Sequence, residues 1–352
     1  MTLRELPVVE TNRKEAPQSS NGRYGAAHAR PRDAYRDVPI LQRPPWRNDI
    51  SAYFFLGGVS CGSFVLGTLA ETVGGPRRRT LARTAHYVAF ATMLPCAPLL
   101  IDDLGKPSRF HHMLRIFKPS SPMNLGAWAL TAHGGVTTLA ALRALAGQRA
   151  LPGPQALNTV MALLPARALA VAGIPPALTL GGYTGVLIGT SSIPVWYKSP
   201  LLGGLFMASA MNTGAAAVSL VSTLTGRAAP DEHRLFTPLT LALGATEAAL
   251  LGAYLATTGP AAKPLLRGRL GLATAAAATG TLAALALDAA SLLTSKNRNV
   301  LGALAASATL LGGAALRWGV VFAGHASAED REGTVEAMKG SAQDPGWGPR
   351  GS

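Results

Sequence analysis

Cysteine is scarce in this chain of 352 residues, which contains only Cys61 and Cys96, both inside apolar runs. An iron–sulfur cluster needs about four cysteine ligands, so the chain cannot hold one by itself. The pair also lacks a CxxC spacing and any extracellular disulfide framework. We therefore interpret both cysteines as small buried apolar side chains.

Charge is scarce as well. Only 14% of the residues are charged, against about 25% in soluble domains, while 48% are hydrophobic and the mean hydropathy is +0.24. The charged residues concentrate at the two ends of the chain. This distribution predicts a membrane domain over residues 49–325, a polar and partner-binding N-terminal tail over 1–48, and a polar C-terminal tail over 326–352.

The sequence indicates neither a secretory signal nor a nucleic-acid-binding surface. Residues 1–48 have no apolar core, so they are not a secretory signal. The net charge is +14, but Lys and Arg cluster in loops between apolar runs, where lipid headgroups favour them. Because no RNA-binding signature or basic stripe with interleaved aromatic residues accompanies them, we expect no nucleic-acid partner.

The apolar windows predict an all-α integral membrane protein with eight transmembrane helices, since one crossing takes about 20 apolar residues. The segment Ala150–Ala166 contains three prolines and is predicted to be interfacial, and Pro175-Pro176 should kink the fourth helix. The eight spans lie at about 50–73, 84–104, 122–145, 167–194, 199–225, 235–259, 268–294 and 299–323.

An even number of crossings places both termini on one side of the membrane, which we call face A. The same parity brings Tyr53, Asp103 and Tyr183 to the face A boundary, together with the loop that carries Arg109 and His112. These residues predict an amphipathic pocket with aromatic walls. In it, a His or Asp exchanges a proton and an Arg sets the local electrostatic potential. The Lys and Arg counts on the two faces are similar and leave the orientation open.

The face A residues also have plainer interpretations. Tyr183 and Trp196 have the positions of membrane-interface anchors. Asp103 could cap a helix or pair with Lys106 or Arg109, and the histidines of the loop could be ordinary headgroup-zone residues.

Three acidic residues within the spans predict a proton path. Glu247 lies near the middle of the sixth span, where a carboxylate is costly and functional by default, and Asp288 and Glu71 lie near the opposite face. A protonated Glu247 that hydrogen-bonds to Tyr254 or Thr246 is the alternative.

A bis-histidine haem is not expected. Counted from the predicted helix ends, the depths of His86 and His133 differ by roughly 13 Å at the helical rise, which is too far to share one iron. No other residues suggest a metal site.

Four segments together resemble the NrfD/polysulfide-reductase membrane-subunit (PsrC-like) family. They are YFFLGGVSCGSF (Tyr53–Phe64), DLGKPSRFHHMLRIFKPSSPMNLGAW (Asp103–Trp128), GYTGVLIGTSSIPVWYKSPLL (Gly182–Leu202) and SAMNTGAA (Ser209–Ala216).

The resemblance implies two four-helix bundles in a bacterial cytoplasmic membrane, without haem or iron–sulfur clusters. It further implies that the chain binds menaquinone or ubiquinone and docks a four-cluster ferredoxin-like subunit, which is linked to a molybdopterin enzyme, for example a formate dehydrogenase-like one, or to a cytochrome. The implied quinone residues are Tyr183, Tyr53, Asp103, His112, Arg109 and Trp128.

Two other functions remain open at this point. A proton-coupled secondary transporter would use Glu247 as its ion site and Pro175-Pro176 as a broken helix. A structural anchor would have the same fold without a quinone site.

Overall fold

The computed structural model describes residues 40–75, 78–104, 106–227, 232–294 and 297–342. These ranges are helical with short connections, and they contain no β-strand. Residues 1–39 of the predicted N-terminal tail therefore lie outside the described residues, as do residues 343–352 of the predicted C-terminal tail.

The first half of the membrane domain starts with three helices and a short connection. The chain breaks after Met93 because Pro95 has no N–H to donate to the preceding turn. The elements are α1 (Asn48–Thr72), α2 (Arg79–Met93), α3 (Cys96–Asp102), a 3₁₀ helix (Pro107–Leu114) and α4 (Pro122–Ala146).

The segment after α4 is broken twice. A nine-residue helix is too short to cross the hydrocarbon, and the predicted kink occurs at Gly173, just before the proline pair in the first turn of α7. The elements are α5 (Gln155–Leu163), α6 (Ala166–Ala172), α7 (Ile174–Gly189), α8 (Pro194–Tyr197) and α9 (Leu202–Leu224).

The second half contains three long helices. The last of them continues to Glu329, beyond the predicted end of the eighth span at residue 323. The elements are α10 (Glu232–Thr258), a 3₁₀ helix (Gly259–Ala262), α11 (Lys263–Leu266), α12 (Gly268–Leu293), α13 (Arg298–Glu329) and α14 (Arg331–Ala342).

Seven helical segments in the described ranges are long and apolar enough to cross a membrane, where the sequence predicted eight crossings. The predicted third span forms α4, whose 25 residues are long enough but less apolar, because they include Asn124, His133 and Arg143. The seven segments are Asn48–Thr72, Arg79–Asp102, Ala166–Gly189, Leu202–Leu224, Leu235–Leu266, Gly268–Leu293 and Arg298–Glu329.

The core is built around α1, which is buried along most of its length and contacts α2, α7, α9 and α13. A Cβ atom added to Gly214 of α9 would meet the backbone of Gly62 in α1. Such close approach of helix backbones replaces the hydrophobic driving force that lipid does not supply.

Candidate functional site

A cavity of about 50 Å³ lies between the beginning of α1, the end of α3, the beginning of α4 and the end of α7. We call it the tyrosine cavity. Its wall is mainly apolar, with two phenols and one carboxyl. The lining includes Trp46, Ile50, Tyr53, Phe54, Leu100, Asp103, Leu104, Met113, Met123, Gly126, Ala127, Tyr183 and Leu187.

The two tyrosines come from distant parts of the chain. Tyr53 is 2% exposed in the first turns of α1, and Tyr183 is 8% exposed in α7. Among the described residues, neither phenol has a hydrogen-bond partner. Because buried phenols normally find a partner, both hydroxyls can donate to or accept from a ligand in the cavity.

A glycine makes room for Tyr183. A Cβ atom added to Gly126 of α4 would overlap the phenol ring, including its hydroxyl. The position of Tyr183 therefore depends on the absence of a side chain at Gly126.

Asp103 is the titratable wall group that the sequence predicted, and it follows the last residue of α3. Burial raises the pKa of its carboxyl, and the carboxylates of Asp49 and Asp102 raise it further, while Arg47 lowers it. The proton is consequently held to a higher pH than on an ordinary aspartate.

Arg47 is a site residue that the sequence analysis missed. It lies just before α1 and forms ion pairs with Asp49 at 3.5 Å and Asp102 at 3.8 Å. These contacts join the chain before α1 to the end of α3 beside Asp103. Only its position immediately before a predicted span could have indicated this role.

Asn124 fixes the loop above the cavity. Its side-chain nitrogen donates to the carbonyls of Met113 at 2.6 Å and Ile116 at 2.9 Å, and its oxygen accepts from the Lys118 N–H at 2.7 Å. Because Met113 lines the cavity, these three bonds hold part of the roof against the beginning of α4.

Three predicted site residues lie elsewhere. Arg109 and His112 are exposed on the first 3₁₀ helix, and the His112 ring contacts that of His111 at 4.4 Å. Trp128 packs edge-on against Phe117 with ring centroids 6.0 Å apart. None of the three lines the tyrosine cavity, so their quinone-binding role stays a prediction.

A neighbouring cavity of about 80 Å³ shares Leu100, Leu104, Met113 and Ala127 with the tyrosine cavity. The shared walls place the two spaces side by side. Ligand pockets usually measure about 300–1,000 Å³, so a quinone ring fits only if side chains move outward. Methionines are suited to this because their thioether chains are flexible.

Glu247 lies in a polar cluster in the other half of the domain. It is 3% exposed, and its carboxylate accepts a 2.7 Å hydrogen bond from the Asn212 side-chain amide of α9. Arg317 of α13 is 2% exposed, donates to the Phe206 carbonyl at 2.9 Å and interacts electrostatically with Glu247. Sequence reasoning missed Arg317, which lies within the predicted eighth span but was given no role there.

The other two acids of the predicted proton path are in separate places. Asp288 is buried in α12 and accepts a 2.6 Å hydrogen bond from Thr240 of α10. Glu71 lies at the end of α1, against α2, α4 and α6. The structure therefore joins Glu247 and Asp288 through α10 but leaves Glu71 in another region.

The depth estimate for the two histidines was wrong. His86 and His133 both pack on Phe64, at 5.2 and 5.5 Å between ring centroids. Because α2 begins at Arg79, earlier than predicted, His86 lies deeper than expected. His133 Nε2 is hydrogen-bonded to Ser60 at 2.9 Å, and no group of three or more metal-ligating side chains occurs in the described ranges.

Trp196 is not exposed at the membrane interface, which removes the anchor interpretation. It is fully buried, donates from its indole nitrogen to the Val320 carbonyl at 2.8 Å, and lies 5.3 Å from the Trp46 ring. Its function in the structure is to pack α8 and α13 behind the Trp46 wall of the cavity.

Comparison with known proteins gives a family match over residues 41–328, to the model described as Polysulphide reductase, NrfD. The chain is 27% identical to the C component of polysulfide reductase from Wolinella succinogenes, over 51% of this chain and 58% of that protein. It is 25% identical to the C component of selenate reductase from Mesobacillus selenatarsenatis, over 56% of this chain and 54% of that protein.

Protein NrfD of Escherichia coli is also 25% identical, over 55% of this chain and 66% of that protein. The chain thus aligns with less than two thirds of the length of each of these relatives. The family match covers most of the chain and agrees with its multi-pass helical architecture. The chain belongs to the NrfD/polysulphide reductase family.

Proposed function

We propose that this chain is the quinone-reactive membrane subunit of a respiratory oxidoreductase in a bacterial cytoplasmic membrane. The observation that carries the proposal is the tyrosine cavity, where two phenols without partners and a carboxyl of raised pKa share an apolar wall. The family match supports it, since the relatives are named as parts of polysulfide and selenate reductases.

The residues of the cavity have complementary roles in this proposal. Tyr53 and Tyr183 donate hydrogen bonds to the oxygens of a menaquinone or ubiquinone headgroup and hold it against the Trp46 ring. When a quinol is oxidised, it gives two electrons to the partner and releases two protons, of which Asp103 takes up one and water at the rim of the cavity the other; the reduction of a quinone returns both. The apolar wall excludes bulk water, which strengthens these polar contacts.

The cavity exchanges electrons with a partner protein, as the family match to subunits of multi-component reductases suggests. The proposed partner is a four-cluster ferredoxin-like iron–sulfur subunit that docks over the exposed 3₁₀ helix with Arg109 and His112. That subunit in turn serves a molybdopterin or cytochrome catalytic subunit.

The proposed topology has α4 as an additional crossing, which gives eight helices in two four-helix bundles. This places Tyr53, Asp103 and Tyr183 on face A. Accessibility labelling of the Lys106 and Lys198 segments tests it. Labels that report from opposite sides of the membrane would contradict the eight-crossing topology.

Proton translocation is part of the proposal for the second half. Glu247 of α10 contacts Asn212 of α9, and Asp288 of α12 contacts Thr240 of α10. Arg317 interacts electrostatically with Glu247. Glu71 is the proposed exit group near the opposite face.

The central test is Tyr183→Phe in the assembled complex. Loss of one neutral hydrogen bond weakens binding by about twofold to tenfold, so the KM for a short-chain quinol should rise by that factor. Tyr197→Phe is the matched control, because Tyr197 is outside the cavity and stacks under Lys198. Equal kinetics for both variants would contradict the role of Tyr183.

Purification separates the proposal from the transporter alternative. A tagged chain that is extracted in mild detergent should bring an iron–sulfur protein with it, in a fixed ratio to the tagged chain. A transporter would purify without iron.

A further inference from the structure

A larger cavity, of about 250 Å³, lies at the other end of α1. We call it the arginine cavity. It is walled by the end of α1, the beginning of α2, the end of α4 and α6. Positions 53 and 71 of α1 are separated by a rise of about 27 Å at the helical rise per residue, so this cavity and the tyrosine cavity face opposite surfaces of the domain.

The wall of the arginine cavity is strongly cationic. Arg79, Arg83 and Arg143 line it together with the single acid Glu71. Arg79 and Arg83 are four residues apart in α2 and therefore lie on the same face of the helix. Within the described ranges, none of the three forms an ion pair, so their charge is available to a ligand.

Two further observations point to an anionic ligand. The Nδ1 atom of His86, a lining residue that is 6% exposed, is buried without a hydrogen-bond partner, which is rare for a polar atom. Arg143 uses only Nε to donate to the Leu164 carbonyl at 2.8 Å. That bond fixes the guanidinium and leaves both terminal nitrogens for an acceptor.

We propose that the arginine cavity binds the phosphodiester group of an anionic phospholipid. Guanidinium groups bind phosphate oxygens in a bidentate manner, and the cavity lies at an end of the membrane domain, where such headgroups are found. His86 Nδ1 lies beside Gly67 of α1, and a turn of the ring toward the cavity lets it supply one more hydrogen bond as an N–H donor.

The wall also distinguishes a lipid from free phosphate. The Glu71 carboxylate repels a small anion but accepts a hydrogen bond from a headgroup hydroxyl, as on phosphatidylglycerol. Leu169 and Ala140 complete the wall, and Leu139, which is 40% exposed one turn before Arg143, offers an apolar surface for an acyl chain. A headgroup with its glycerol and acyl chains satisfies all of these groups at once.

The test uses the full chain in neutral phosphatidylcholine nanodiscs, with phosphatidylglycerol added at increasing fractions. Native mass spectrometry counts retained lipid, and thermal unfolding reports affinity. We expect one retained phosphatidylglycerol per chain. In the double variant Arg79→Gln/Arg83→Gln, the affinity for phosphatidylglycerol should fall by about tenfold for each arginine lost. Arg227→Gln is the matched control, because Arg227 is exposed beyond the end of α9 and does not line the cavity.

Three results would overturn the proposal. The first is equal lipid retention by the glutamine pair and the Arg227→Gln control. The second is full stabilisation by inorganic phosphate alone, which would assign the cavity to a free anion. The third comes from the double variant Arg79→Lys/Arg83→Lys, which keeps both positive charges. It serves as a second test if the double glutamine variant does not fold. We expect weaker binding there because lysine lacks the bidentate fork, and native affinity would remove the arginine assignment.

Discussion

Substitution of Gly126 by alanine tests how the tyrosine cavity is built. The added Cβ atom would overlap the Tyr183 ring, so the ring must turn or α4 must move away from α7. Overpacking of this kind costs about 1–3 kcal/mol, whereas replacing a helical glycine by alanine gains about 1 kcal/mol. The expected net loss in the free energy of unfolding is therefore small, about 0–2 kcal/mol.

Activity should fall more clearly than stability. A displaced phenol loses its hydrogen bond to the quinone, and we expect the KM for a short-chain quinol to rise by about twofold to tenfold. Gly135→Ala is the control in the same helix, because a Cβ atom there meets nothing within 4 Å. In the Tyr183→Phe background, Gly126→Ala should add little to the change in KM.

The assay is steady-state quinol oxidation by the reconstituted complex with an artificial electron acceptor, together with thermal unfolding of each variant. Gly126→Ala kinetics that match those of Gly135→Ala would refute the reasoning. So would a large loss that is fully additive with Tyr183→Phe, because the glycine would then act without the phenol.

Three further predictions concern charge and packing. Burial raises the pKa of Asp103, so the rate of quinol oxidation should rise with pH through an inflection above the ordinary aspartate pKa of about 3.9. Asp103→Asn should remove this inflection from the pH profile. Asp102→Asn should move it to lower pH, because the neighbouring carboxylate that raises the pKa of Asp103 is then absent. Glu247→Leu leaves the buried Arg317 charge without its acidic neighbour and should cost about 3 kcal/mol. Glu247→Gln also removes the charge but can keep the Asn212 contact, so it should cost less. Thermal unfolding in detergent measures both; equal losses would contradict the contribution of the Asn212 hydrogen bond, and no loss in Glu247→Gln would contradict the charge interaction. Gly214→Ala should force α9 away from α1 and lower stability by about 1–3 kcal/mol, while Gly204→Ala, which meets open space, should not; a neutral Gly214→Ala would contradict the close crossing.

Much of the helical architecture could be predicted because lipid requires long apolar segments that satisfy their own backbone hydrogen bonds. Parity then predicted that Tyr53, Asp103 and Tyr183 lie near one another, and the structure places all three around one cavity. The count of crossings was less predictable. α4 carries polar groups that form hydrogen bonds with neighbouring helices, such as His133 with Ser60. The hydropathy of a sequence segment does not reveal such partners.

The missed residues share a physical reason. Charge in lipid is costly, but a carbonyl of α9 and the Phe206 ring at 4.1 Å stabilise Arg317 inside the protein. Gly126 is one of many glycines in the sequence. Only the packing of the Tyr183 ring against it shows that this position must lack a side chain. Both depend on contacts between residues far apart in the chain.

The ion pairs of Arg47 have a mechanical consequence. Arg47 ties the chain before α1 to the end of α3, and the adjacent Trp46 forms a wall of the tyrosine cavity. A displacement of the segment ahead of α1 would thus move an aromatic wall and alter the electrostatic field at Asp103 in a single step. Contact of another protein with this segment could in that way tune the affinity of a membrane-embedded pocket without touching it.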